Sequence, residues 1–519
     1  MKAALVLLLV ACGEPDRDPR FAAGTSTEPH DGGTLHVALK DEVRTLDPAV
    51  GADDDTMIVL HTLFDTLVDY EPTSLALRPR LARSWTVSPD GLVYAFTLRD
   101  DIRYANGAPI VAADFAYALE RARTLPTSPF GGLLEDVADV AAPDPLTLRI
   151  TLARPYTALP FVLAMPFTAP LPRAYVDATG PAIRHLPLAS GPYVVERWVE
   201  GQEIVLRKNP SYFDRTRGHV ARIDMLENLA SDAAYLMFLR GDLDVVDRLS
   251  VADQTELASR PAWAPYLHAI PMMNAFGSRM NVTVPPFTDR RVRQALNYAL
   301  DKSHTARLFG GATIPSHGLL VPGMAGRDDA LPPYPHDVAK AKQLLAEAGY
   351  PDGLDLEYVT AADDEYQLVA ASLQSDLAEA GVRVHITTVS WATYLTAVAR
   401  ADGPAFSYTS WAADFPDPAD FFDTRFSTRG IAASASNDSF YSNPVLDGIL
   451  DTARGEPDPV KRAALYQWAE RILYVDAPWV WDYHRLFTEV TQPYVRGYQP
   501  HPIWLRDYTS IWLDPKVRL

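Results

Sequence analysis

Among 519 residues there is one cysteine, Cys12. An internal disulfide is therefore excluded, as is any zinc or iron-sulfur site built on clustered thiolates, and the fold must stand on its hydrophobic core. Positive charge is also scarce. Forty-seven Lys and Arg face 66 Asp and Glu, a formal charge of -19, so the long-range field repels phosphate backbones and sets nucleic acid aside as a partner. Long apolar runs are missing too: the N-terminal stretch Ala3 to Ala11, behind Lys2, is too short to cross ~30 Å of hydrocarbon as a helix and reads as an export signal. The sequence holds no G-x-S-x-G, no P-loop, no G-x-G-x-x-G and no H-E-x-x-H. Its 12 histidines are scattered without metal-ligand spacing. These absences disfavour a hydrolase and leave no catalytic residue, metal or cofactor to name.

What is present begins with length. At about 150 residues per domain the chain suggests three domains or two large lobes. Leu9-Val10-Ala11-Cys12 looks like a lipobox, in which a peptidase cuts before the cysteine and a diacylglyceryl group is attached to its sulfur. Residues 1–11 are then a lipoprotein signal peptide, and 12–33, rich in Pro, Gly and acids, a flexible tether reaching roughly 25 Å from a membrane anchor at Cys12. Folded structure is expected from residue 34, where "GTLHVAL" alternates like a strand.

The grammar that follows is mixed α and β. "RSWTVSPDGLVYAFTLR" reads as a hairpin in which Trp85 and Val87, then Tyr94, Phe96 and Leu98, alternate around Ser88-Pro89-Asp90-Gly91. A helix is expected from about Ala113 to Arg123, and "GPYVVERW" with "GQEIVLRKN" forms a strand pair around Glu200-Gly201. In "DRRVRQALNYALDK" Val292, Ala295, Leu296, Ala299 and Leu300 share a helix face; Asp337 caps the next helix, which Gly349 and Pro351 stop. The segment "YQLVAASLQSDLAEAG" leads into "VRVHITTV", a helix followed by a strand. Asp458-Pro459 starts a helix carrying Leu465, Trp468 and Ile472. Two acidic clusters stand out. Asp53-Asp54-Asp55 reads most simply as a solvated loop; in "WAADFPDPADFF", Asp417 before Pro418 is an N-cap, while Asp414 has no such structural role.

Taken together, "TLDP" at 45–48, "LARSWTVSPDGLVYAFTLRDDIRYANGAPIVAADFAYALER" at 81–121, "SGPYVVERWVEGQEIVLRKNPSYF" at 190–213, "PPFTDRRVRQALNYALDK" from 285, "AKAKQLLAEAGYPDG" from 339 and "SWAADFPDP" from 410 resemble the extracellular solute-binding proteins of family 5, the oligopeptide and dipeptide binders of ABC importers. The resemblance implies an α/β fold of the large two-lobed periplasmic-binding-protein type, with mixed sheets and a hinge between lobes. Domain I would be 34–62, 172–271 and 487–519, domain II 63–171 and domain III 272–486, with lobe crossings near Pro271 and Leu486. It implies a monomeric binding protein, not an enzyme. The ligand is expected to be a peptide, and the partners an ABC permease and ATPase complex at the periplasmic or cell-surface face of a bacterial membrane.

The resemblance also places a site. Asp414 matches the acid that pairs with a ligand's α-ammonium, which titrates near ~8 and is cationic at neutral pH. Segments 51–54, including Asp53 and Asp54, and 410–412, Ser410 to Ala412, match main chain that pairs with an extended ligand. Trp411, Trp391 and Phe130 match cleft aromatics. Tyr408 and Glu365 stand near places where some members carry a base for the ligand's C-terminal carboxylate, with Arg400 close by. The same fold could instead hold a nickel chelate, haem, an opine or an oligosaccharide, or serve a receptor or sensor.

Overall fold

A computed structural model describes residues 27–247, 249–433 and 436–514. The expected signal peptide, Cys12 and most of the tether lie outside the described residues.

Three larger sheets organise the chain. The first is antiparallel, in the order Ala82–Val87, Val93–Leu98, Thr147–Leu152, Val137–Asp144. Its opening hairpin turns on Gly91, at φ +71°, with the Ser88 hydroxyl accepting from Val93 N at 2.9 Å. The helix Ala112–Thr124 presses Phe115, Leu119 and Ala122 onto this sheet's core. Tyr94, Phe96 and Leu98 are buried as the alternation predicts, but Trp85 is only half-buried and Val87 is 45 % exposed. Their strand is an edge of the sheet, where period-two patterning no longer guarantees cover on either face. In the second sheet Thr34–Ala38 runs parallel to Arg222–Leu226, which pairs with Glu203–Lys208, and that strand pairs in turn with Tyr193–Val199. The helix Asp54–Leu63 packs Ile58, Val59 and Leu63 into its core.

The third sheet has a central path of Val245–Val246, Trp479–Thr491, Asn274–Met280, Phe406–Ala412, Leu354–Ala361 and Val382–Val389. Its far end is a β-α-β unit: Leu354–Ala361 and Val382–Val389 are parallel, joined by the helix Asp364–Glu379, as a helix followed by an alternating strand predicts. Helices Arg290–Ala299 and Val338–Glu347 fill that core; Asp337 accepts from Lys340 N at 2.8 Å as the expected N-cap.

The 13-residue strand Trp479–Thr491 links the halves of the molecule. Trp479 to Tyr483 pair with Asn274–Met280, whereas Leu486 to Val490 pair with Leu267–Pro271. The two partner strands are joined through Met272 and Met273, so the chain crosses between the halves twice, side by side. Asn274 staples the crossings, its carbonyl accepting from His484 Nδ1 at 2.8 Å and its side chain from Arg485 N at 2.9 Å. The architecture is two-lobed. The helix Pro459–Asp476, capped by Asp458 as predicted, buries Tyr466, Ala469, Glu470 and Leu473 and leaves Trp468 53 % exposed. The buried face thus lies about a quarter-turn from the stripe Leu465, Trp468 and Ile472.

Candidate functional site

Between the lobes lies a cavity of about 1140 Å³. One wall includes Asp53, Asp54, Phe130 and Trp504, and the other Trp391 and Ser410 to Phe415.

The second wall follows from how the strand Phe406–Ala412 ends. Ladder pairing with Asn274–Met280 runs to Ala412, and Ala413 N still donates to Met273 O at 2.7 Å. The chain then leaves the sheet. Phe415 inserts into the core of the opposite, four-stranded sheet. Asp417 accepts from Ala419 N at 2.9 Å to start the helix Pro418–Arg425, and Arg462 clamps it bidentately at 2.6 and 2.7 Å. Pinned on both sides, the short arm between strand and helix presents Asp414 to the cavity. Its main-chain N donates to Asp420 Oδ2 at 3.1 Å, and Trp411 Nε1 donates to the same oxygen at 3.0 Å. Arg425 lies 5.4 Å over the face of the Trp411 ring.

The electrostatics are those of a site short of positive charge. Asp414 is open to the cavity, yet the surrounding protein desolvates it, and together with the charge of Asp54 this pushes its carboxyl up to about 6. Asp420, 2 % exposed, is held well above the usual carboxylate range by burial and then by Asp414. Four basic side chains line the cavity, Lys40, Arg429, Arg454 and Arg485. Three of these are already paired: Arg429 with Asp451, Arg454 with Asp136 and Asp423, and Arg485 with Glu365.

Of the residues expected at the site, Asp414, Trp411, Ser410, Ala412, Trp391, Phe130, Asp53 and Asp54 all border this cavity. Trp391 is 48 % exposed and stacks on Tyr394. Phe130 is buried against Phe167, rings parallel at 4.4 Å, so it serves the core as well as the wall. The acidic cluster is not the solvated loop that its composition suggests. Asp53 caps the helix Asp54–Leu63 by accepting from Thr56 N at 2.9 Å, and Asp55 is 1 % exposed, receiving Asp41 N at 2.8 Å. Tyr408 is not on the main wall; fully buried and stacked at 4.2 Å on Tyr366, it lines an adjoining pocket of about 280 Å³ with Trp391, Ser410 and Trp411. Arg400 is spent at the surface on Asp402. Sequence reading missed Arg485, whose neighbour Leu486 marks a lobe crossing, and Arg454, for which no local pattern existed. Among the described residues no group of His, Cys, Asp and Glu is placed to hold a metal, and no helix is long and apolar enough to cross a membrane.

Comparison with known proteins agrees with this geometry. The sequence profile of the bacterial extracellular solute-binding proteins, family 5 (Middle), matches residues 76–433. The chain belongs to that family. A glutathione-binding protein, GsiB of Salmonella typhimurium, is 28% identical over 452 residues, 86% of this chain and 87% of its own length. Among solved structures, clavulanic acid biosynthesis oligopeptide binding protein 2 superposes with a TM-score of 0.87 at 27% identity, covering 93% of this chain and 96% of that one. The murein tripeptide binding protein MppA of Escherichia coli does so with a TM-score of 0.77 at 25% identity, covering 93% and 99%. A family 5 solute-binding protein of this kind is an extracellular or periplasmic component of an ABC importer, and the family and these relatives are binding proteins, not enzymes.

Proposed function

We propose that this protein captures short peptides bearing a free N-terminal amine and delivers them to an ABC permease, working from a lipid anchor at Cys12. The observation that carries the ligand class is Asp414. Its main-chain N is tied to Asp420, and its carboxyl stands at the cavity wall desolvated, opposed by Asp54 and without a basic partner among the described groups. An ammonium entering there would relieve both penalties at once. Ser410–Ala412, paired with Asn274–Phe276 on one edge, offers the main-chain groups of its other edge to an extended ligand, and the exposed Trp391 gives a sequence-tolerant apolar surface. The relatives named for glutathione, oligopeptide and murein tripeptide support the same chemistry, and glutathione, itself a tripeptide with a free α-amine, is the second reading. In this reading the domains divide as the resemblance implies, with closure a hinge at Met272–Met273 and His484–Leu486.

Calorimetry against a tripeptide, its N-acetylated form and glutathione tests the assignment. Acetylation removes the cation and should abolish tripeptide binding, and Asp414→Asn should weaken it by about 3 kcal/mol or more, since a desolvated ammonium is left without its partner. Equal affinity for free and acetylated peptide would sink the role of Asp414. Tight glutathione binding with no affinity for the tripeptide would select the second reading.

A further inference from the structure

One end of the cavity is closed by a cluster that joins the lobes. Arg454 lies in the last turn of the helix Pro444–Gly455, whose Leu446, Ile449, Leu450 and Ala453 bury with Phe421, Phe422 and Trp479 on the side of the large sheet. Its side chain reaches the other lobe. There Nε donates to Asp136 Oδ2 at 3.0 Å, Nη2 donates to the same carboxylate, and Glu135 Oε1 stands 3.8 Å away. The guanidinium lies 4.0 Å over the Tyr156 ring. The Arg454 carbonyl accepts from Thr157 N at 2.9 Å and from Thr157 Oγ1 at 3.1 Å. Val137 and Tyr156, beside these partners, belong to the core of the four-stranded sheet. Arg454 is 8 % exposed and Asp136 is 4 % exposed, so the pair is shut away from water.

Each half of the cluster has a counter-ion in its own lobe. Arg154 donates to Asp136 Oδ1 at 2.8 Å, and Asp423, on the same lobe as Arg454, accepts from Arg454 Nη1. Parting the lobes therefore strands no isolated buried charge, a cost of several kcal/mol per ion that would otherwise oppose opening. Bringing them together adds the Arg454 to Asp136 pair and the stacking on Tyr156 in a desolvated setting, where charge-assisted hydrogen bonds are strongest.

We propose that Arg454 is the closing latch of the cleft: its pairing with Asp136 and its stacking on Tyr156 form only when the lobes meet, and they set how long the cleft stays shut. The latch needs no ligand group to form, because its partners are all protein groups, although Arg454 and Tyr156 also border the cavity. An interaction made only in the closed state acts on the opening rate more than on encounter.

Hydrogen exchange of segment 153–157, read beside the radius of gyration from small-angle scattering, tests this on the whole protein without any added ligand. In the wild type, the Thr157 amide should be protected. In Arg454→Ala and in the near-isosteric Asp136→Asn it should exchange about ten- to a hundredfold faster, with a larger radius of gyration and an unchanged circular-dichroism spectrum. Arg454→Lys, which keeps the charge but loses the planar fork and its stacking, should fall between. An unprotected Thr157 amide in the wild type, or unchanged protection and radius in either folded variant, would overturn the latch. Neither outcome depends on the peptide assignment, so the two can fail separately.

Discussion

Asp414 carries two opposed consequences of one environment. Desolvation by the surrounding protein and the charge of Asp54 raise its carboxyl to about 6, above the ~3.9 of an unfolded chain. The unfolded state therefore binds fewer protons between these values, and folding stability falls as pH rises from about 4 to 6. Above pH 6 the ionised side chain is a standing cost to the unliganded fold. Asp414→Asn should then raise the melting temperature of the unliganded protein at pH 7 while removing affinity for an amine. That combination, measured by calorimetry on one variant, marks a functional residue, because a structural Asp would lose stability when neutralised. Affinity for a peptide should be greatest between about pH 6 and 8, falling roughly tenfold per unit below 6 as Asp414 takes up a proton, and again above ~8 as the ligand ammonium gives one up. A flat profile across pH 5 to 7 would remove Asp414 from the amine site. At this scale the sequence was readable where a motif had a fixed neighbourhood. Asp414 stood apart because Asp417-Pro418 already explained the cap. Arg454 was silent because Asp136 and Tyr156, its partners across the cleft, lie about 300 positions away and no periodicity marks them.

Among elements, the strand Asn274–Met280 is the one that holds the large sheet together, being paired on both edges, with Phe406–Ala412 and with Trp479–Thr491. Its register with the latter shifts between Phe276 and Gly277. At that point a Cβ on Gly277 would sit 2.2 Å from the Val480 carbonyl oxygen, so the backbones approach as they do only because the side chain is absent. Gly277→Ala should force the strands apart and cost about 1 to 3 kcal/mol, read as a lower urea midpoint. Since strand Phe406–Ala412 carries the site at its C-terminal end, ligand affinity should fall along with stability. Helices with a cap and a one-sided stripe, such as Val338–Glu347, were legible, as was the β-α-β unit, because local chemistry decided them. The edge strand Ala82–Val87 and the face of Pro459–Asp476 were not. Which side of a strand or helix is covered depends on neighbours contributed by distant sequence.

For the whole molecule the legible part was the architecture, since six segments in a shared order span both lobes, whereas the closing contacts between lobes have no local signature. Closure brings Pro155 of one lobe against Gly455 of the other: a Cβ placed on Gly455 lies 3.3 Å from the Pro155 Cβ, slightly inside the ~3.5 to 4.5 Å that a disulfide spans. Gly455 has no left-handed backbone to forbid a side chain, and Cys12 is the only thiol to remove. In a Cys12→Ser background, Pro155→Cys with Gly455→Cys should therefore form an inter-lobe disulfide after a small backbone shift. Oxidised protein that has closed on a ligand should retain it through dialysis, as followed by native mass spectrometry, and reduction should restore exchange, because release requires the hinge to open. The same pair oxidised before exposure to ligand should bar entry. Unimpeded exchange through the locked cleft would mean that ligands reach the cavity without separation of the lobes, and would remove hinge closure, and the Arg454 latch with it, from the release step.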